Sequence, residues 1–157
     1  MPDPTPLKER LRTDLVQAMR DKDELRRTTI RALVAAIRSA EVAGAQAREL
    51  SEDEQQAVVR TEAKKRRESA EVYAGAGRVE QAQRERDEEQ VVLAYLPAQL
   101  GPDELAAVVD GEVAAAAAQG RTGMAAMGGV VKAVRERVGQ QASGGEVAAA
   151  VKARLQG

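Results

Sequence analysis

The stretch Val91-Val92-Leu93-Ala94-Tyr95-Leu96-Pro97-Ala98-Gln99-Leu100-Gly101-Pro102-Asp103-Glu104-Leu105 closes one helix, makes a short extended crossing and opens another. Leu96 precedes a proline, which pushes it out of the α region. Gly101 suits an N-cap, and Pro102 suits a first helical position, where its missing N–H is no loss. Asp103 and Glu104 then sit against the positive end of the new helix. Outward from this crossing, apolar residues recur at helical spacing and strand alternation is absent. The chain therefore reads as all-α, with an N-terminal four-helix domain over 1–97 and a smaller C-terminal three-helix domain over 98–157.

Upstream, Leu7, Leu11, Leu15, Ala18 and Met19 mark a first helix, which Asp21-Lys22-Asp23 interrupts. A second carries Ile30, Leu33, Val34, Ile37 and Val42, with Gly44 as its terminator. The short turn between them makes the two antiparallel neighbours. Ser51-Glu52-Asp53-Glu54 is a capping box that starts a third helix, because Ser51 and Glu54 can each satisfy the other's backbone N–H. Its sparse stripe is Val59, Ala63, Ala70 and Tyr73 with Arg66 on the same line, and Ala74-Gly75-Ala76-Gly77-Arg78 ends it. A fourth helix, from Val79 to Tyr95, is apolar only near Val91, Val92 and Leu93, so its early turns are expected to be solvated.

Downstream, charge thins to six basic and six acidic residues between Gly101 and Gly157. Three helices fit there. Leu105, Val108, Val109 and Val113 mark one, Met127, Val131, Val134 and Val138 a second, and Val147, Val151 and Leu155 a third. Gly120 and the segment Gly139 to Gly145 are the breaks.

Composition removes several functions. The 157 residues include no cysteine and no histidine, which excludes thiolate and imidazole chemistry and the usual N/S zinc sites. No Gly-rich phosphate loop followed by Lys and Ser/Thr occurs, nor a Gly-x-Ser-x-Gly elbow, so no catalytic constellation is visible. The acid runs Glu52-Asp53-Glu54 and Asp87-Glu88-Glu89 read as helix N-terminal acids and a solvated face, and no metal or cofactor is expected. No apolar run reaches the length of a membrane span, and Met1-Pro2-Asp3-Pro4-Thr5-Pro6 is unlike a signal peptide. The expectation is a soluble cytoplasmic protein without membrane contact.

A net charge of −1 means that any nucleic-acid footprint must be a local patch. Tyr73 and Tyr95 are too few aromatics for base-stacking platforms, so RNA would be held by shape and phosphate contacts. Two segments are candidates. Lys64-Lys65-Arg66-Arg67 is the dense basic run. Either it forms i,i+4 pairs on a solvated face (Glu62–Arg66, Lys64–Glu68, Arg67–Glu71), or it meets RNA or an acidic partner. The second is Gly128-Gly129 near a helix start, with Lys132 and Arg135 one turn along. Adjacent helical glycines each cost about 1 kcal/mol relative to alanine. Either tight helix packing or close approach of a ligand would offset that cost.

Several ordered blocks carry a resemblance: Arg27-x-x-Ile30-Arg31-x-Leu33, Glu62-x-Lys64-x-Arg66-Arg67-Glu68-Ser69, Ala76-Gly77-Arg78, Tyr95-Leu96-Pro97-x-Gln99-Leu100 and Met127-Gly128-x-Val130. Together they resemble the YqeY family of the GatB/YqeY group across nearly the whole chain. The part after Pro97 is similar to the tail domain of the B subunit of bacterial glutamyl/aspartyl-tRNA amidotransferase. One departure is Ala142-Ser143-Gly144, where the family pattern reads Ala-Asp-Gly; Ser143 keeps a capping oxygen but not the carboxylate.

The resemblance implies two helical domains and a link to tRNA, since the tail domain helps to hold the tRNA body while amide transfer occurs elsewhere in that complex. It points to a non-catalytic tRNA-binding or amidotransferase-associated accessory protein. Arg121, Lys132, Arg135 and Lys152 in the tail-like part, with Lys64, Lys65, Arg66 and Arg67, are the candidate phosphate contacts. Two other readings stand beside it. One is a protein-interaction module without an RNA role. The other is a contributor to carbon–nitrogen ligation with glutamine as amide donor. Tyr95 is the aromatic expected to pin the junction of the two domains.

Overall fold

The computed structural model describes residues 5–157, so the first four residues of the polar opening lie outside the described residues. The chain forms two compact units, Met1–Pro97 and Ala98–Gly157. The first unit holds α1 (Leu7–Arg20), α2 (Glu24–Glu41), α3 (Glu52–Gly75) and α4 (Val79–Leu93). The second holds α5 (Pro102–Ala118), α6 (Met127–Val138) and α7 (Gly144–Gln156), with 3₁₀ turns at Gly123–Ala126 and Gly139–Gln141. No strand occurs among the described residues, and the protein is all-α as the helical spacing requires.

In the first unit the α1–α2 turn closes on Asp23, whose carboxylate accepts the Arg26 N–H and caps α2. Lys8 near the start of α1 is ion-paired with Glu41 at the end of α2, which makes the two helices antiparallel. Their apolar faces meet those of α3 and α4 in a core of Leu7, Leu11, Ile30, Leu33, Ile37, Val59, Ala63 and Val92. The Ser51–Glu54 capping box forms in both directions. Glu52, in the first turn of α3, reaches back to accept the Leu7 N–H at 3.1 Å, satisfying one of the orphan donors at the start of α1.

Glu54 also takes a two-pronged contact from Arg48, at 2.7 and 2.9 Å. That guanidinium, with the Ser51 N–H, draws the Glu54 carboxyl down to about 2 from its ordinary 4.5. A depressed carboxyl stabilises the fold above its unfolded value and loses that contribution as pH falls toward about 2. Ser51→Ala is expected to cost about 1 kcal/mol, read as a lower urea midpoint. Glu54→Gln should leave a shallower loss of stability on acidification than the native chain shows.

At the end of α4 the helix stops at Leu93, two residues before the expected Tyr95. The Tyr95 and Leu96 N–H groups bond to the carbonyls of Val92 and Leu93, a tightened i→i−3 turn that leads to Pro97. Tyr95 belongs to the core of the first unit, with its hydroxyl donating to Asp14 Oδ2 at 2.6 Å. The Arg10 guanidinium stands 5.3 Å from the ring centroid.

The second unit has its own core of Leu105, Val109, Ala116, Ala126, Val130, Val134, Val138, Val147 and Val151. Gly101 is the N-cap of α5 and Pro102 its first residue. On α6 the fully buried members are Val130, Val134 and Val138, whereas Met127 and Val131 are half-buried. The stripe thus lies one step from the one that Met127 and Val131 suggest. The preceding 3₁₀ turn buries Ala126, and Val130 follows it four residues later on the same row. Ser143 caps α7 in a reciprocal box with Glu146, so the missing carboxylate does not cost the helix its start.

Candidate nucleic-acid interface

The basic run lies on α3, and each of its cations meets a carboxylate. Lys64 Nζ is 3.8 Å from Glu68, and Lys65 Nζ is 3.1 Å from Glu62. Arg66 Nη1 is 3.0 Å from Glu62, and its Nε is 3.5 Å from Glu88 of α4. Arg67 Nε reaches Glu89 at 2.9 Å rather than Glu71, the i,i+4 partner that spacing suggests. The face of Asp87-Glu88-Glu89 is likewise not simply solvated: Glu89 is buried and Glu88 half-buried.

Both differences have one cause. α3 and α4 are the most extensively packed helix pair, yet α4 brings only Ala82 and Val92 as buried apolar residues. Ion pairs fill the seam where side chains of Leu or Val size are missing. Burial pushes the Glu62 carboxyl up, but the hydrogen bonds from Arg66 and Lys65 outweigh it and hold the group below its ordinary value. Glu85, half-buried on the same side of α4, is pushed up by burial and by the neighbouring Glu88 charge. Arg66 is therefore committed inside the hairpin, with its side chain 11% exposed, while Lys64, Lys65 and Arg67 keep their outer faces open.

The second unit sorts its cations differently. Arg137 is ion-paired with Glu112, and Arg154 with Asp110 at 2.7 Å. Arg121, Lys132, Arg135 and Lys152 are all exposed, and among the described residues none has a carboxylate at ion-pair distance. Arg121 donates to Gln119 Oε1 at 2.6 Å and lays Nη1 over Gly129, where a Cβ would stand 2.9 Å from it. Lys132 follows Gly129 by three residues, and Arg135 follows Lys132 by three, so they continue along neighbouring rows of α6. The Arg135 guanidinium then reaches Gly144 at the start of α7, 3.8 Å from where a Cβ would be. Glu136 is the acid on this side of α6. Lys152 stands two turns along α7, on the row of Gly145.

The glycine pair does not serve helix packing. A Cβ at Gly128 would meet nothing within 4 Å, and at Gly129 only the Arg121 side chain. Both glycines are exposed, so the start of α6 presents backbone beside three cations, open at Gly128 and overlain by the Arg121 guanidinium at Gly129. Phosphate groups suit such a face: guanidinium forks and an ammonium supply charge and donors, and the missing Cβ atoms permit close approach.

Among the described residues no group of three acidic side chains is placed to hold a metal ion, and no helix is long and apolar enough to cross a membrane. No curated protein matches the chain. The family described as Yqey-like protein matches residues 8–155, nearly the full sequence with its hairpin seam and its basic α6 face alike, and the chain accordingly belongs to the YqeY family.

Proposed function

We propose that this YqeY-family protein is a non-catalytic accessory factor that binds tRNA, alone or with tRNA amidotransferase, through its C-terminal unit. The observation that carries this reading is the selective pairing in that unit. Arg137 and Arg154 are neutralised by acids, while Arg121, Lys132 and Arg135 line an exposed helix face without carboxylate partners. The resemblance read from the sequence after Pro97, to the amidotransferase tail domain, is the reason for choosing tRNA. In this reading Lys132 acts as a point charge on a phosphate, Arg121 and Arg135 as forked donors, and Lys152 as a peripheral contact. Lys64, Lys65 and Arg67 add long-range attraction, each weakened by its acid partner.

Titration of labelled total tRNA at two salt concentrations tests it. Lys132→Ala/Arg135→Ala is expected to weaken binding and to flatten the log–log salt dependence by about 0.9 per lost phosphate contact, near 2 in all. An unchanged affinity with an unchanged salt slope would remove the α6 face from the interface. Lys64→Ala/Lys65→Ala should produce the smaller change of the two pairs.

A further inference from the structure

A second surface lies in the first unit, on the flank where α1 and α2 run side by side. There a groove of about 370 Å³ has Leu11, Leu15, Val34 and Ile37 as its floor and Arg12 and Arg38 on its rims. Lys8, Glu41 and Glu49 close one end as a self-contained set, with Lys8 Nζ paired to Glu41 and 3.7 Å from Glu49. Among the described residues no carboxylate lies at ion-pair distance from Arg12 or Arg38, and both are exposed. The floor is not confined to the cavity: Met19, four residues beyond Leu15 on the same flank of α1, is 49% exposed, and Val16 beside it 44%.

We infer that this groove docks an acidic amphipathic helix of a partner protein. The apolar floor runs parallel to two helix axes, and α1 is about 21 Å long, so it matches the apolar stripe of a third helix better than a compact ligand. Leu15 and Val34 face each other across the groove, in the register set by Lys8 opposite Glu41, and together seat one apolar side chain of the docked helix, with the exposed Met19 one turn along α1 for the next. Arg12 and Arg38, on opposite rims, pair with acids on either side of that stripe. Arg12 and Arg38, the latter also acting at longer range on Glu41, select the sign of the partner's flanks, and the Lys8–Glu41–Glu49 set closes the groove to a longer run of acids.

Methyl-labelled full-length protein tests the assignment with three probes: an end-capped leucine stripe peptide of about 16 residues flanked by glutamates, the same peptide with each glutamate replaced by lysine, and decanoate. The expected result is that the glutamate peptide shifts the methyl signals of Leu11, Leu15 and Val34, while the lysine peptide does not. Arg12→Glu/Arg38→Glu should lower affinity at least about tenfold with an unchanged circular dichroism spectrum. The milder Arg12→Gln/Arg38→Gln serves should the first pair fold poorly, and it should weaken binding in the same direction. Equal binding of the lysine peptide, indifference to both double substitutions, or a response to decanoate alone would overturn the proposal. The last of these outcomes would make the groove a small-carboxylate site.

Discussion

Arg66→Ala is expected to destabilise the protein by about 3 kcal/mol at neutral pH, far more than loss of any other cation in the basic run. The Arg66 side chain is 11% exposed, between Glu62 at 14% and Glu88 at 18%. Removing it leaves Glu62 with only Lys65 and Glu88 with only Arg84, two partners that are more than half exposed, so two largely desolvated carboxylates lose the one cation that lies between them inside the seam. Lys65→Ala removes a side chain that is 65% exposed, and should cost less than about 1 kcal/mol. The substitution also weakens a pH effect. In the native chain Arg66 and Lys65 hold Glu62 below its ordinary carboxyl value, so that group adds stability that fades on acidification. Without Arg66 the upward push of burial on Glu62 is opposed by Lys65 alone, so the variant loses less stability on acidification than the native chain does. The gap between native and Arg66→Ala urea midpoints should therefore narrow from neutral to mildly acidic pH. Arg66→Met combined with Glu62→Gln and Glu88→Gln should recover most of the loss, because the two carboxylates that faced Arg66 are then neutral. A gap below about 1 kcal/mol that is also independent of pH would mean that water already solvates these groups.

That seam marks the point where sequence patterns stop being informative. Helix positions follow from apolar spacing and capping chemistry: Ser51 with Glu54, Asp23, and Gly101 with Pro102 all act where their side chains and backbone preferences place them. Local rules suffice because each cap involves residues within one turn. Arg67 fails such rules because its partner Glu89 is 22 residues away, across a hairpin whose rotation no spacing encodes. One signal was present. Arg66 falls on the apolar stripe of α3 with Val59, Ala63 and Ala70, and a cation on a buried row demands an anion opposite. Glu85, Glu88 and Glu89, at i, i+3 and i+4 on α4, are the acids that could supply it. The candidate α6 face was legible as Gly128, Gly129, Lys132 and Arg135, but the choice between packing and open backbone was not. It depends on whether another helix lies above Gly128, and that is a tertiary fact.

Tyr95→Ala is expected to cost about 3–5 kcal/mol, comparable to truncating any large core side chain. Tyr95 is 4% exposed in the core cluster that holds Leu7, Leu11, Val92 and Leu96, so truncating it removes the one aromatic ring of that core. Tyr95→Phe separates the two contributions. It keeps the ring and the Arg10 contact but leaves Asp14, half-buried on α1, without its 2.6 Å donor; a hydrogen bond to a charged acceptor is worth about 1.5–3 kcal/mol. Burial and the Asp14 carboxylate both push the tyrosine hydroxyl above its ordinary value of 10.0. A raised acid contributes stability below its unfolded value and loses it as pH climbs through the folded one, so the native chain should weaken above about pH 10 through this group. The Phe variant should lack that component, and the two denaturation midpoints should converge in alkali. If instead Phe and Ala cost the same at neutral pH, the bond to Asp14 rather than the buried ring ties the end of α4 to α1. The Tyr-Leu-Pro turn would then depend on that side-chain bond more than on the packing of the ring.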